Sequence, residues 1–283
     1  MPELVFAPSA TVIAAPTLSP EGLTAWAQDV GALALLDDPE TPLAQVMAGA
    51  GRGGDADALP EFAGRFCYRS FRKGRPAEEY IAHILESGHG SVLEHVNVSF
   101  ALVGVSRALT HELIRHRAGT AISQESQRYV DASAQRFVVP PLLLATVDRL
   151  RATGDSAAAD ALLEEFRADC RHARARYCAW QNTFRAQARP GEDPTLTRKR
   201  ANEAARALLP NAAETRLVWT MNLRAARHVV TLRGHRDADL EIRRLACLLA
   251  RRLKDVASLV FADIEVVEDE DGFESVRTGH RKV

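Results

Sequence analysis

Two long stretches of helical hydrophobic spacing constrain this chain more than any other feature. Residues 142–187 keep that spacing apart from a break at Gly154-Asp155-Ser156. Residues 239–260 set Leu240, Ile242, Leu245, Leu248, Leu249 and Leu253 along one broad apolar stripe. Stripes of that width must be buried, and little strand is on offer to bury them. Residues 92–103 alternate, with Val96, Val98 and Phe100 on one side and His95, Asn97 and Ser99 on the other. Residues 214–223 fit a second strand. The core is mainly Ala, Leu and Val, because 46% of the chain is hydrophobic yet only 10 Phe, 4 Tyr and 3 Trp are present, which favours packed helices. The expected fold class is α+β, a small, mostly antiparallel sheet wrapped by long helices.

Local signals divide the rest. Ser19-Pro20-Glu21-Gly22 reads as a helix entry, and the glycine-rich residues 48–57 as a loop. A helical pattern starts at Leu59 and runs through Phe62 and Phe66. Residues 76–88 form another helix, with Tyr80, Ile81, Ile84 and Leu85 at helical spacing and Gly88 as the stop. Residues 106–116 return to helix through Leu109, Leu113 and Ile114. Arg189-Pro190-Gly191 is a turn, residues 196–209 are helical until Pro210, and residues 224–232 are helical. The tail from Glu265 is acidic and then basic, and is expected to fray.

Charge and cysteines exclude several classes. The chain has 36 basic and 37 acidic residues, a net charge of −1, which is a poor footprint for a binder of nucleic-acid polymers. Among the basic residues only Lys73, Lys199, Lys254 and Lys282 are lysine. The abundance of Arg reflects composition or a need for forked phosphate binding, and only placement distinguishes the two. Cys67, Cys170, Cys178 and Cys247 form no CxxC pair and suit neither zinc nor a disulfide framework. Buried, reduced thiols are expected. With no secretory signal and an apolar run at residues 11–16 too short to span a bilayer, a cytoplasmic protein without a membrane partner is expected.

Three segments could carry chemistry. The densest is Arg115-His116-Arg117, continuing through Ala118 and Gln124 to Glu125-Ser126-Gln127-Arg128-Tyr129. Its guanidinium groups suit an anion, since each charge-assisted hydrogen bond contributes roughly 1.5–3 kcal/mol. Cations satisfying a helix C-terminus are the competing explanation, valid for the last turn only. The second segment is Gly88-His89-Gly90-Ser91 with Glu94-His95, where His89 sits between glycines within reach of a ligand. No metal site is expected: His111 and His116 fall about 140° apart on a helix, and HExxH is absent. The third segment runs from Arg206-Ala207-Leu208-Leu209-Pro210 through Trp219-Thr220-Met221-Asn222-Leu223-Arg224 and His228 to Leu232-Arg233. Taken alone it is weak, because Arg206 could be a solvated helix residue and Arg233 a helix-end cation.

Taken together and in this order, these segments resemble the flavin-dependent thymidylate synthases. Arg-His-Arg, a spacer of eight residues and then Ser126 is similar to that family's signature. The resemblance covers roughly residues 60–262, most of the chain. It implies FAD contacts at His89, Ser91, Glu94, Arg115, His116, Arg117, Ala118, Gln124, Asn222, Arg224 and His228. It implies deoxyuridylate contacts at Glu112, Gln124, Glu125, Ser126, Gln127, Arg128, Arg206 and Arg233. It further implies NADPH and 5,10-methylenetetrahydrofolate as co-substrates and a homotetramer with active sites shared between subunits. On this basis residues 1–55 are an N-terminal extension of the same domain, 56–265 the catalytic domain and 266–283 a tail. Carbon 5 of uracil must become nucleophilic, and no Cys lies in a matched segment. Arg233 is therefore expected to activate the pyrimidine electrostatically and Ser126 to position it. Another flavin oxidoreductase, or an Arg-rich nucleic-acid-binding protein, are the competing readings.

Overall fold

Serine and threonine hydroxyls or carboxylates cap helix after helix, and the order of elements follows from these punctuation points. The computed structural model describes residues 3–50 and 54–280. In chain order the elements are β1 (Leu4–Val5), β2 (Ser9–Ala14), α1 (Pro20–Asp29), α2 (Pro42–Gly49), α3 (Asp55–Tyr68) and α4 (Ala77–Ser87). A 3-10 turn at Gly90–His95 leads into β3 (Asn97–Ser106), α5 (Arg107–Leu113), β4 (Thr120–Gln124) and β5 (Phe137–Val138). Then come α6 (Pro141–Ala152), α7 (Ser156–Ala186), α8 (Pro194–Ala205), β6 (Glu214–Asn222), α9 (Leu223–Arg233), α10 (Leu240–Val256), β7 (Glu265–Glu268) and β8 (Glu274–Arg277).

The central sheet has the order β2-β3-β6-β4. The antiparallel sense of β6 and β4 follows from the register: Asn222 N donates to Gly119 O, whereas Glu125 N donates to Arg216 O, so one strand descends as the other rises. The α+β class with a small antiparallel sheet and long helices is as expected. The chain divides into two compact units, residues 1–9, 102–115 and 123–218, and residues 10–101, 116–122 and 219–283.

In the first unit, β1 pairs parallel with β5. Leu4, Phe137, Val139, Val147, Ala159, Leu163, Cys170 and Ala213 form an apolar core there. Asp155 caps the 31-residue α7 by accepting from Ala158 N at 3.0 Å. The buried Gln181 donates to Asn202 Oδ1 at 2.7 Å and to the Tyr177 hydroxyl at 3.1 Å, so α7 and α8 share satisfied polar contacts.

In the second unit, Ser19 caps α1, and Trp26 meets Phe62 and Phe71 edge-on at 4.9 and 5.1 Å. On α3, Asp57 accepts from Ser258 Oγ, Leu259 N and Val260 N at 3.2, 3.1 and 2.9 Å, tying the loop after α10. Burial outweighs these bonds and raises the Asp57 pKa. Ile242, Leu245, Leu249 and Leu253 of α10 are buried, each contributing about 1.5–3 kcal/mol.

Four sequence expectations shift. Helix α3 begins at Asp55 rather than Leu59, because acidic residues in its first turn suit the dipole. The glycine-rich stretch around it lies partly at residues 51–53, outside the described residues. Val92 and Leu93 are both buried on the 3-10 turn, so alternation begins only at Val96 and His95 is a turn residue rather than a strand residue. Helix α5 ends at Leu113, leaving Arg115 and His116 beyond it. The tail does not fray at Glu265: β7 and β8 pair antiparallel, Glu265 opposite Arg277 and Val266 opposite Val276.

Candidate active site

In the second unit, strand β6 delivers Asn222 to the start of α9. Its Oδ1 accepts from Ala225 N at 2.8 Å and caps the helix. Its backbone N–H reaches Gly119 O at 2.9 Å. Gly119 has φ +67°, and a Cβ there would stand 2.5 Å from Asn222 Nδ2. Only glycine lets the turn after Arg117 and Ala118 lie this close to the capping residue.

Helix α9 then presents three of the expected residues. Arg224 donates to Glu94 Oε1 at 2.6 Å, bringing the 3-10 turn that carries Ser91, and His89 just before it, to the helix start. Both partners are about half exposed, so this ion pair is weak and open to exchange. One turn on, His228 meets the His116 ring edge-on, with centroids 5.7 Å apart. At the end of the helix Arg233 Nε donates to His116 Nε2 at 2.9 Å. That nitrogen must therefore be an acceptor, which assigns the imidazole proton to Nδ1. Burial first, then Arg233, then His228 push the His116 pKa down to about 4. At neutral pH the imidazole is uncharged, and Arg233 carries the positive charge of the pair. Arg117 is exposed and without an acidic partner among the described residues, and Ala118 beside it is exposed.

In the first unit, Ser106 caps α5, accepting from Leu109 N at 3.0 Å, and Arg107 is the first helical residue. Gln124 donates to Thr110 Oγ1 and Thr215 Oγ1 at 3.3 and 3.2 Å. These bonds fix the exit of β4. Glu125 N is held by Arg216 O at 2.9 Å, and Glu125 O accepts from Arg107 Nη2 at 2.8 Å. Ser126 Oγ accepts from Arg128 N at 3.3 Å, and Ser126 O accepts from Tyr129 N and Val130 N. The serine thus shapes its own turn. Arg128 donates to Glu203 Oε2 at 2.7 Å, again between half-exposed groups. Glu112 is half-buried on α5, and Arg115 is exposed just past its end.

This loop borders a cavity of about 240 Å³ whose lining includes Arg107, Glu125, Gln127, Arg136, Glu214 and Arg216. Arg136 is neutralised by Glu214 and Glu3. Arg107 is not so well provided for. Burial lowers its pKa, Glu125 offsets part of this, and the positive charge of Arg206 lowers it further. Its Nε is buried without a hydrogen-bond partner. A desolvated guanidinium beside a second cation, with a donor unspent, suits an anion. The sequence did not single out Arg107. Its signal was position: a basic residue in the first helical turn opposes the dipole.

The structure therefore gathers Glu94, His116, Asn222, Arg224, His228 and Arg233 in one unit. In the other, Glu125 and Gln127 border the cavity, Arg206 acts on Arg107, and Ser126 and Arg128 share the adjoining turn. Gln124 is hydrogen-bonded to two threonines of its own unit. Among the described residues no cluster of His, Cys, Asp or Glu could hold a metal ion, and no helix is long and apolar enough to cross a membrane.

Residues 52–258 match the family described as thymidylate synthase complementing protein. The flavin-dependent thymidylate synthases of Mycobacterium avium and Mycolicibacterium vanbaalenii are 47% and 45% identical over 227 residues, covering 78% of this chain and 85% of theirs. That of Mycobacterium tuberculosis is 46% identical over the same extent. Among solved structures, the UMP/dUMP methylase PolB from Streptomyces cacaoi, bound with 5-Br UMP, is similar in fold. It aligns with a TM-score of 0.60 at 18% identity, covering 92% of this chain and 94% of that one.

Proposed function

The chain belongs to the flavin-dependent thymidylate synthase family, and from that premise we propose that it reductively methylates deoxyuridylate to thymidylate. In this reading 5,10-methylenetetrahydrofolate is the carbon donor and NADPH the reductant. The observation that carries the substrate assignment is Arg107, which lines a cavity with Glu125 and Gln127, has a buried Nε without a partner and feels the positive charge of Arg206. Two guanidinium groups that repel each other and a buried unspent N–H call for a phosphate. Arg128 adds a third, once the nucleotide displaces its exposed partner Glu203. Ser126 holds the turn, and Glu112 and Gln124 are assigned to the same substrate.

Arg233, in the second unit, is assigned to the pyrimidine. Its charge favours the uracil form ionised at nitrogen 3, which makes carbon 5 nucleophilic without a covalent adduct. His116, neutral at working pH, orients the guanidinium through the 2.9 Å bond and adds no competing charge. No thiol substitutes for this activation: Cys170 and Cys247 are buried with pKa values pushed up to about 11, and Cys67 and Cys178 lie on α3 and α7.

The donor set fits FAD. Arg117, without a carboxylate partner, and Arg224, bound only by an exposed and exchangeable one, suit a pyrophosphate, and His89, Ser91 and Asn222 offer polar contacts nearby. When bound, FAD supplies the hydride that completes the methyl group. Arg115, Ala118, Glu94 and His228 are assigned to the same cofactor. The reaction operates on free nucleotide in the cytoplasm, in a homotetramer whose sites draw on more than one subunit.

The test is direct. Purified protein should be yellow, release FAD on denaturation, and form thymidylate only when deoxyuridylate, the folate and NADPH are all present. Flavin-bound protein that oxidises NADPH but never yields thymidylate would instead support a different flavin oxidoreductase.

A further inference from the structure

The C-terminal hairpin β7–β8 lies past residue 258, where the family match ends. It is nonetheless fastened by a side chain only 1% exposed, Arg243 of α10. Arg243 Nε donates to Glu274 O at 2.6 Å and Nη2 to Phe273 O at 2.8 Å. Its two terminal nitrogens reach the Asp271 carboxylate at 2.8 and 3.1 Å, and Nη2 reaches Asp269 at 3.2 Å. One further bond leaves the hairpin: Nη1 donates to Arg236 O at 3.0 Å. The same guanidinium thus grips the hairpin and the loop that immediately follows Arg233.

A second tie lies closer still. Val276 N donates to Gly234 O at 2.7 Å. Position 234 has no room for a side chain, since a Cβ there would stand 2.7 Å from Val276 Cβ and closer to its Cγ2 and to Val230 O. The backbone on the C-terminal side of Arg233 is therefore held at 234 by β8 and at 236 by Arg243. Arg233 is the last residue of α9. Last turns fray because their carbonyls lack intrahelical donors. A frayed turn would lose the bond to His116.

We infer that the β7–β8 hairpin is a strut that fixes Arg233 toward the substrate, with Arg243 and Val276 as positioning residues for the pyrimidine end of the site. The inference rests on the reading of Arg233 given above. Displacement of a site group by about 1 Å is enough to cost much of its effect, and the strut prevents it.

The test compares Asp271→Asn, Val276→Ala and Arg233→Ala, singly and with each hairpin change combined with Arg233→Ala, all in the full-length, FAD-loaded protein. Asp271 is half exposed, and Val276→Ala retains the backbone bond, so both should fold. The readouts are the dissociation constant of deoxyuridylate from flavin absorbance, kcat, FAD occupancy, and amide exchange over residues 230–236. The hairpin changes should weaken deoxyuridylate roughly 3- to 30-fold, speed exchange over 230–236 and leave FAD occupancy intact. Their effect on binding should vanish once Arg233 is Ala. A merely structural role would not depend on residue 233. Hairpin changes that leave binding and kcat unchanged, or that add fully to Arg233→Ala, would overturn the inference while Arg233 keeps its role. An Arg233→Ala protein with normal binding and turnover would overturn both.

Discussion

Replacing Arg233 by Ala removes the cation that the structure sets on the neutral imidazole of His116. The bond lost to His116 measures 2.9 Å. A charge-assisted hydrogen bond to the pyrimidine contributes about 1.5–3 kcal/mol, so deoxyuridylate should bind roughly 10- to 150-fold more weakly. Turnover should fall further, because the interaction strengthens as uracil ionises. Lys should restore little, offering a point charge where the site holds a planar fork. The histidine supplies an independent readout. Burial is the largest cause of its low pKa and remains in the variant, while the second cause, Arg233, is gone. The His116 pKa should therefore rise from about 4 yet stay below that of a free histidine. In the wild type the unfolded chain binds more protons than the folded one between the unfolded value, about 6.5, and the folded value. Stability thus drops as pH falls through that window, and the variant should show a shallower drop. Flavin-absorbance titration, kcat, histidine NMR and melting at pH about 5 and 7 measure these effects. Near-normal turnover, or a His116 titration that does not move, would refute the reasoning.

Ser126→Ala should slow turnover without abolishing it, because its Oγ serves the turn at Arg128 N; complete loss together with a trapped nucleotide adduct would contradict this. Gly119→Ala should destabilise the fold by about 1–2 kcal/mol from the left-handed backbone alone, with a further loss from the clash at Asn222; an unchanged melting temperature would count against the cap geometry. Light scattering should report a homotetramer, and mixing inactive Arg117→Ala with inactive Arg233→Ala should restore part of the activity. A fully active, flavin-loaded monomer would exclude shared sites.

What was legible in the sequence depended on how local its cause was. Helices α7 and α10 could be read within a few residues because their apolar stripes repeat at helical spacing, and Gly88 was readable as a stop because it adopts φ +69°. Val92 and Leu93 misled because adjacent buried residues fit a 3-10 turn as well as a strand flanked by Val96 and Val98. The tail was misread for a non-local reason. Its acidic run looks like a solvated end until Arg243 is known to be buried among Asp269, Asp271 and two carbonyls. The candidate site was legible where several polar residues crowd one segment, as at residues 115–128. Arg107 was not, since its one signal, a cation opposing the dipole at the start of α5, does not by itself name a ligand.

The abundance of arginine finds its explanation in partners rather than in counts. Arg65, Arg227 and Arg243 are among the largest fully buried side chains. Each spends its fork on a carboxylate and on carbonyls: Arg65 on Glu61 and Arg75 O, Arg227 on Asp263 and Val260 O, and Arg243 on the hairpin. Losing one partner of such a pair costs about 3–5 kcal/mol, because the remaining charge stays buried. Arg117 and Arg206 show the opposite arrangement, exposed and with no carboxylate partner among the described residues. Both kinds suit a guanidinium, the first because carbonyls and carboxylates must be satisfied together, the second, in the assignment proposed above, because a phosphate presents the same paired oxygens. Asp263 lies 36 residues from Arg227 and Asp271 lies 28 from Arg243, so for these two, unlike the i,i+4 pair of Arg65 with Glu61, no local spacing rule could have found the partner. A near-zero net charge is then consistent with such a chain: acids neutralise the arginines that build the fold, and the unpaired arginines are the ones proposed to meet the phosphates of nucleotide and cofactor.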